Sequence, residues 1–299
     1  MWLFLSLFSA FFLGMYDTAK KSAVTGNAVF PVLFLSTLSG ALVTLPIILL
    51  SALNPSAARS MHMFIPQETI SAHTLIFTKS LIVGTSWVLS YFGLKHLPIT
   101  IATPLRATAP LFTVLGAVLL FGERPTFHQW IGIVLILSSY LLYSRSTRKT
   151  VSGKASILWI VFMILAAITG AASGGFDKYL LQSITLPPLF VLCWFLLYLS
   201  IIYGIIALVF WFPQRTRSTP FFFRFSIPLV GVLLVVADTA YMTALSDPVA
   251  KLALVSAIRR SNVLISFIAG VVLFHEGNIR QKLLPFAGII SGILLIMLK

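Results

Sequence analysis

Three of the seven acidic residues in this 299-residue chain, Asp17, Asp177 and Asp238, stand inside or at the margins of long apolar runs. A carboxylate at membrane depth is costly unless it is paired, wetted or protonated. Asp17 and Asp177 therefore admit two readings. Either they are interfacial residues near helix ends, neutralised by Lys20 and Lys178, or they are cavity carboxylates that take up a proton or meet a substrate amine, and so serve as coupling or gating groups. Asp238 sits deeper in its run and is a candidate to line a binding cavity. Arg106 and Arg259 lie roughly eight residues, or about two helical turns, into theirs. A guanidinium keeps its proton, so each must face water, a carboxylate or a bound anion. One reading ties helices together by a symmetric set of ion pairs; the other has an Arg hold a substrate carboxylate or phosphate. A substrate that competes for the ion pair satisfies both. Asn262 lies one turn beyond Arg259 and shares its face, whereas Arg260 points about 100° away.

Trp87, Tyr91 and Tyr241 combine an apolar body with a polar tip. They read either as packing and interface residues or, where they reach a cavity, as surfaces that stack on an organic substrate or its cation. Glu123 and Glu276 fall in short turns between apolar runs and read as capping residues for the helices that follow. Other chemistry lacks its signature. No GxxxxGK[ST] sequence marks an ATP site. The five histidines show no ligand spacing, so no metal or other cofactor is expected, and no Ser-His-Asp arrangement supports an enzyme. The single cysteine, Cys193, lies in an apolar run and reads as a small core residue.

The elements that carry these residues follow from composition. The chain is 59% apolar and 9% charged, with a mean hydropathy of +1.01; a soluble domain needs about a quarter of its residues charged. Its main partner is thus the lipid bilayer. Recurring long apolar runs without strand alternation select helices over a barrel, since lipid requires each backbone polar group to be satisfied within the spanning element. A span needs about 20 mostly apolar residues, and ten segments meet that need: 2–21, 29–53, 74–94, 99–121, 127–144, 155–175, 188–212, 227–245, 250–274 and 283–298. The apolar N-terminus lacks a basic leader and a cleavage site, and reads as the first span. The formal charge of +14 does not indicate a nucleic-acid partner, because the basic residues cluster at span ends, where they anchor helices at the interface.

The two halves repeat. Leu120-Phe121-Gly122-Glu123 ends the fourth span and Leu273-Phe274-His275-Glu276 the ninth, and Arg106 and Arg259 precede the two Glu residues by the same interval. Tyr91 and Pro98 match Tyr241 and Pro248, and Gly14-Met15-Tyr16-Asp17 corresponds to Gly174-Gly175-Phe176-Asp177. An odd number of spans per copy makes the second copy enter the membrane from the opposite side, the device by which transporters obtain two near-equivalent conformations. The expected fold is an all-α membrane protein of ten transmembrane helices, arranged as two inverted five-helix repeats around a central cavity. Residues 1–146 form the first repeat, 147–154 a basic linker and 155–299 the second.

With its Gly122-Glu123-Arg124-Pro125 turn and Gln129-Trp130-Ile131-Gly132 opening the next span, the chain resembles the EamA-type members of the drug/metabolite transporter superfamily over nearly its whole length. The first unit matches better than the second, where His275-Glu276-Gly277-Asn278 departs from the pattern. The resemblance implies ten helices around a cavity and the export or uptake of small metabolites. The expected function is a secondary transporter for a small polar organic metabolite, amino-acid-like or similar, that works by alternating access with proton coupling or exchange. The expected location is a bacterial inner membrane. Arg106, Arg259, Asp238, Asn262, Trp87, Tyr91 and Tyr241 are the candidate substrate contacts, and Asp17 and Asp177 the coupling or gating groups. The alternative is a flippase or carrier for a lipid-linked head group. The basic residues favour cytoplasmic loops after the odd-numbered spans and termini outside, whereas the family implies termini inside.

Overall fold

The computed structural model describes residues 1–96, 109–146, 157–262, 264, 265, 268 and 279–297. Among these residues every regular element is helical. In chain order they are α1 (Trp2–Val24), α2 (Val29–Leu53), α3 (Pro55–Ser60), α4 (Ile70–His96), α5 (Ala109–Phe121), α6 (Phe127–Ser146), α7 (Ile157–Lys178), α8 (Pro188–Ile206), α9 (Ser226–Leu245), α10 (Leu252–Arg259) and α11 (Ile279–Met297). A π-helical turn, Tyr179–Ser183, continues α7, and another, Ala207–Trp211, continues α8.

Six stretches are long and apolar enough to cross a membrane: Trp2–Val24, Val29–Leu53, Ile70–Gly93, Ile157–Ser183, Pro188–Gln214 and Ser226–Leu245. Ala109–Phe121, Phe127–Leu142 and Leu284–Met297 are shorter apolar helices. Large apolar side chains such as Phe4, Leu119, Leu120, Ile205 and Leu208 point outward and are exposed. In water such an exterior would drive aggregation; in lipid it is the ordinary solvent-facing surface. Each described helix longer than one turn or two falls in a segment selected by apolar run length. The exception by size is α3, which occupies the loop after the second span. Its start is local chemistry: Asn54 accepts from the Ala57 amide at 3.1 Å, with Pro55 in the first turn.

Local signals also set the turn that marks the family resemblance. Gly122 follows α5 at φ +60°, a left-handed conformation that glycine adopts without strain. Thr126 and Gln129 then form a reciprocal cap, the Thr126 amide donating to Gln129 Oε1 at 3.0 Å and the Gln129 amide to Thr126 Oγ1 at 3.4 Å. This starts α6.

Between helices, packing relies on small residues that let backbones approach. Gly231 on α9 lies against the Ser36 carbonyl and Gly40 amide of α2. Gly132 on α6 and Gly292 on α11 each face the other's carbonyl. The main helix partnerships are α1 with α9, α4 with α7, α2 with both α8 and α9, α4 with α8, α5 with α7, α10 with α5 and α1, and α6 with α11. Helices from the first and second parts of the chain thus interleave, and the core is made between them.

Candidate functional site

Four of these helices bring charge together inside the protein. Arg259, at the end of α10, donates through Nη2 to Asp238 Oδ1 on α9 at 2.8 Å, and its guanidinium lies 4.0 Å from the Tyr241 ring centroid. Asp238 and Tyr241 sit three residues apart on α9 and so project from the same face. Tyr241 lies beside the Asp177 carboxylate on α7 and interacts with it electrostatically. Asp177 is in turn paired with Lys79 of α4, Nζ to Oδ1 at 2.6 Å. The Lys79 side chain is 2% exposed and that of Asp177 8%, so neither charge can be solvated by bulk water. Lys79 also lies over the Phe195 ring at 4.3 Å. The result is a continuous strip, Lys79–Asp177–Tyr241–Arg259–Asp238, with two cations and two anions. Each charge has an opposite partner, which is the condition for keeping it in a low-dielectric interior.

A second connection crosses from α10 to α1. Asn262, one turn beyond Arg259, donates through Nδ2 to Asp17 Oδ2 at 2.7 Å. One turn further along α1, Lys20 Nζ lies among three rings, 5.0 Å from the Tyr91 centroid and 5.4 Å from those of Tyr16 and Trp87. Trp87 stacks on Tyr203 at 6.2 Å with 17° between planes. Next to this group a vestibule of about 810 Å³ opens between the ends of α1, α4 and α8 and the start of α2.

The opposite end of the helices is fastened. Glu123, in the turn after α5, accepts from the Leu252 and Ala253 amides at 2.5 and 2.9 Å and from Lys178 Nζ at 2.5 Å. It therefore caps α10, not the helix that follows it in sequence. Lys251 Nζ donates to the Arg124 carbonyl at 2.6 Å. Gln182 Nε2 lies within hydrogen-bond distance of the Leu245, Asp247 and Ala250 carbonyls, at 2.7, 3.0 and 3.0 Å.

Of the residues singled out from sequence, Asp177, Asp238, Tyr241 and Arg259 meet in one cluster, Asp17 and Asn262 in a second contact, and Trp87 and Tyr91 around Lys20. Arg106, Glu276 and the linker 147–154 lie outside the described residues. Lys178 does not neutralise Asp177; one residue on, it is turned toward Glu123, and Lys79 takes its place. Lys79 is not among the residues that the acids and arginines single out. Its signal was plain: a lysine within Leu75-Ile76-Phe77-Thr78-Lys79-Ser80-Leu81, where an ionisable group inside an apolar run marks function or a buried partner.

Comparison with known proteins agrees with this architecture. Residues 1–145 match the model of the EamA-like transporter family. No curated protein matches the sequence. Among 29 matching chains of solved structure, one, described only as a crystal structure of a protein, is 16% identical over 98% of this chain and 94% of its own, with a TM-score of 0.71. That likeness concerns the fold alone. Over residues 1–145, just under half of its length, the chain is thus similar to a family of membrane transporters, and the likeness is consistent with the drug/metabolite transporter superfamily.

Proposed function

We propose that this multi-pass membrane protein is a secondary transporter that moves a small polar organic metabolite by alternating access between two inverted five-helix halves, 1–146 and 155–299, joined by the segment 147–154. The observation that carries this reading is the buried charge strip. Lys79 belongs to the first half, and Asp177, Asp238, Tyr241 and Arg259 to the second, so relative movement of the halves must break or re-form the Lys79–Asp177 pair. A substrate with an acidic or amino group can replace one partner of such a pair at little electrostatic cost, and a proton on Asp177 or Asp17 can do the same. The family supports transport as the activity.

Helix packing supports the inverted repeat. Number the ten proposed spans so that α1, α2, α4, α5 and α6 are one to five and α7, α8, α9, α10 and α11 are six to ten. Exchanging the halves turns the packing of one on eight into six on three, three on seven into eight on two, and four on six into nine on one. Both members of every exchange occur, and two on seven and five on ten map onto themselves. This is the pattern that a two-fold axis in the membrane plane produces. The vestibule at one end and the Glu123 and Gln182 contacts at the other fit a conformation open toward a single side, and a bacterial inner membrane suits the class.

The test is transport in proteoliposomes loaded with a panel of amino acids, nucleosides, sugars and organic acids. Arg259→Ala should abolish flux of the transported compound while the variant inserts and purifies at the wild-type level. Wild-type flux in Arg259→Ala at equal protein content would defeat the proposal.

A further inference from the structure

We propose that Tyr16, Trp87 and Tyr91 form a cage for the ammonium group of an organic amine, and that Lys20 is the built-in occupant which the amine displaces. This inference deepens the transport reading and rests on it. An ammonium within about 6 Å of an aromatic centroid is drawn to the ring face. Lys20 Nζ has three such rings, from two helices, at 5.0 to 5.4 Å. The sign of the preferred guest follows from the rings, because their faces are the negative side of the quadrupole and repel a carboxylate. The cage is assembled before any guest arrives. Tyr16 is buried on α1. Trp87 and Tyr91 stand one turn apart on α4, and Trp87 is braced from behind by the stacked ring of Tyr203, a buried residue whose hydroxyl donates to the Gly84 carbonyl at 3.3 Å. Lys20 makes at least one further interaction besides these ring contacts, so its ammonium does not depend on the three rings alone. Its four-carbon stem is flexible enough to carry it aside.

A second observation points to a guest. The recess beside the cage, lined by Lys20, Ser36, Trp87 and Tyr91 among others, holds only about 10 Å³ in this conformation, room for one small group. Ser36 of α2 is 5% exposed, and among the described residues its hydroxyl has no hydrogen-bond partner. A buried hydroxyl without a partner is costly. A protonated amine brings N–H groups that this oxygen can accept, whereas a quaternary ammonium brings none. The vestibule assigns the rest of the guest. It meets the recess at Leu33 and Tyr91, which line both. Its volume is about 810 Å³, Phe30, Phe92, Phe210 and Trp211 stand in its walls, and none of its described lining residues is charged. A guest that fits both spaces has a compact ammonium head and a larger apolar body that packs against rings. Tyr91 stands at the junction and can touch both parts.

The experiment uses the full-length protein in lipid nanodiscs, with binding followed by tryptophan fluorescence and by thermal stabilisation, and with partition into lipid measured on empty nanodiscs. The probes are 3-phenylpropylamine and the alcohol and carboxylate of equal size. The amine should bind at least about tenfold more tightly than either. Lys20→Met removes the competing occupant and should tighten the amine by about tenfold. Tyr91→Leu should weaken the amine by about tenfold more than it weakens the alcohol, and Ser36→Ala should weaken the amine by a few-fold. Amine binding no tighter than that of the alcohol, or amine affinity unchanged or reduced in Lys20→Met, would overturn the inference. Should Lys20→Met fail to purify, Lys20→Gln gives the same uncharged readout, and the amine-over-alcohol ratios of wild type and Tyr91→Leu decide by themselves. If the amine binds in the cage but does not cross proteoliposomes, the transport reading fails and the cage stands. If another compound is transported and the amine does not bind, the cage fails and the transport reading stands.

Discussion

At the scale of single residues, the argument turns on what a buried charge requires. Lys79 and Asp177 are both nearly inaccessible and lie 2.6 Å apart. Removing one partner leaves the other stranded in a medium that solvates it poorly, a loss of about 3–5 kcal/mol in comparable buried pairs. Replacing both by apolar residues avoids that penalty. Lys79→Met should therefore lower the melting temperature of the detergent-purified protein clearly, and Lys79→Met combined with Asp177→Leu should recover most of the loss without recovering transport. A double variant less stable than Lys79→Met alone would show that the pair is not what stabilises this region. The same logic explains what sequence disclosed here. The carboxylates and Arg259 stood out because ionisable groups are rare within the apolar runs. Lys79 did not, because the ion pair between α4 and α7 joins residues nearly a hundred positions apart, and no local spacing encodes it.

At the scale of helices, local and distant determinants separate cleanly. Apolar run length found the six helices long enough to cross a membrane among the described residues, and the Gly122 turn with its Thr126–Gln129 cap follows from neighbouring residues alone. The partner of Glu123 does not. Sequence placed it as a cap for the next helix, whereas it satisfies the first amides of α10, some 130 residues on. Which helix end lies nearby is a property of packing, and packing here is set by small residues whose partners sequence leaves open. Gly231 is the sharpest case, since an added Cβ would meet not only the Ser39 hydroxyl of α2 but also the Ser36 carbonyl and Gly40 amide of its backbone, which cannot swing away. Gly231→Val should separate α9 from α2 and cost about 1–3 kcal/mol, the usual range for overpacking. Thermal melting of the purified variant checks it, with Gly116→Val as the control, since an added Cβ there meets nothing within 4 Å. Equal stability of the two variants would mean that the α2–α9 contact tolerates expansion.

At the scale of the whole molecule, the two ends of the helix assembly differ. One end carries the vestibule, and the other is fastened by Glu123, Lys178, Lys251 and Gln182 across three loops. If alternating access is the mechanism, these contacts hold one gate shut and must release in every cycle. Covalent fastening at that end should then stop transport. With Cys193 replaced by Ser, Gln182→Cys together with Asp247→Cys offers two thiols beside an existing contact, in which Gln182 Nε2 lies 3.0 Å from the Asp247 carbonyl. A short bifunctional thiol reagent should abolish flux, and a reducible version should allow its return on addition of a thiol. Weakening the same gate by Glu123→Gln removes one charge of the Lys178 pair and should shift the population toward the opposite opening, seen as faster labelling of Gln182→Cys from that side. The two perturbations act in opposite directions on one equilibrium, so they test a moving gate more sharply than loss of activity does. Full flux through the cross-linked protein would mean that this end stays closed throughout the cycle, and substrate would have to leave by another path.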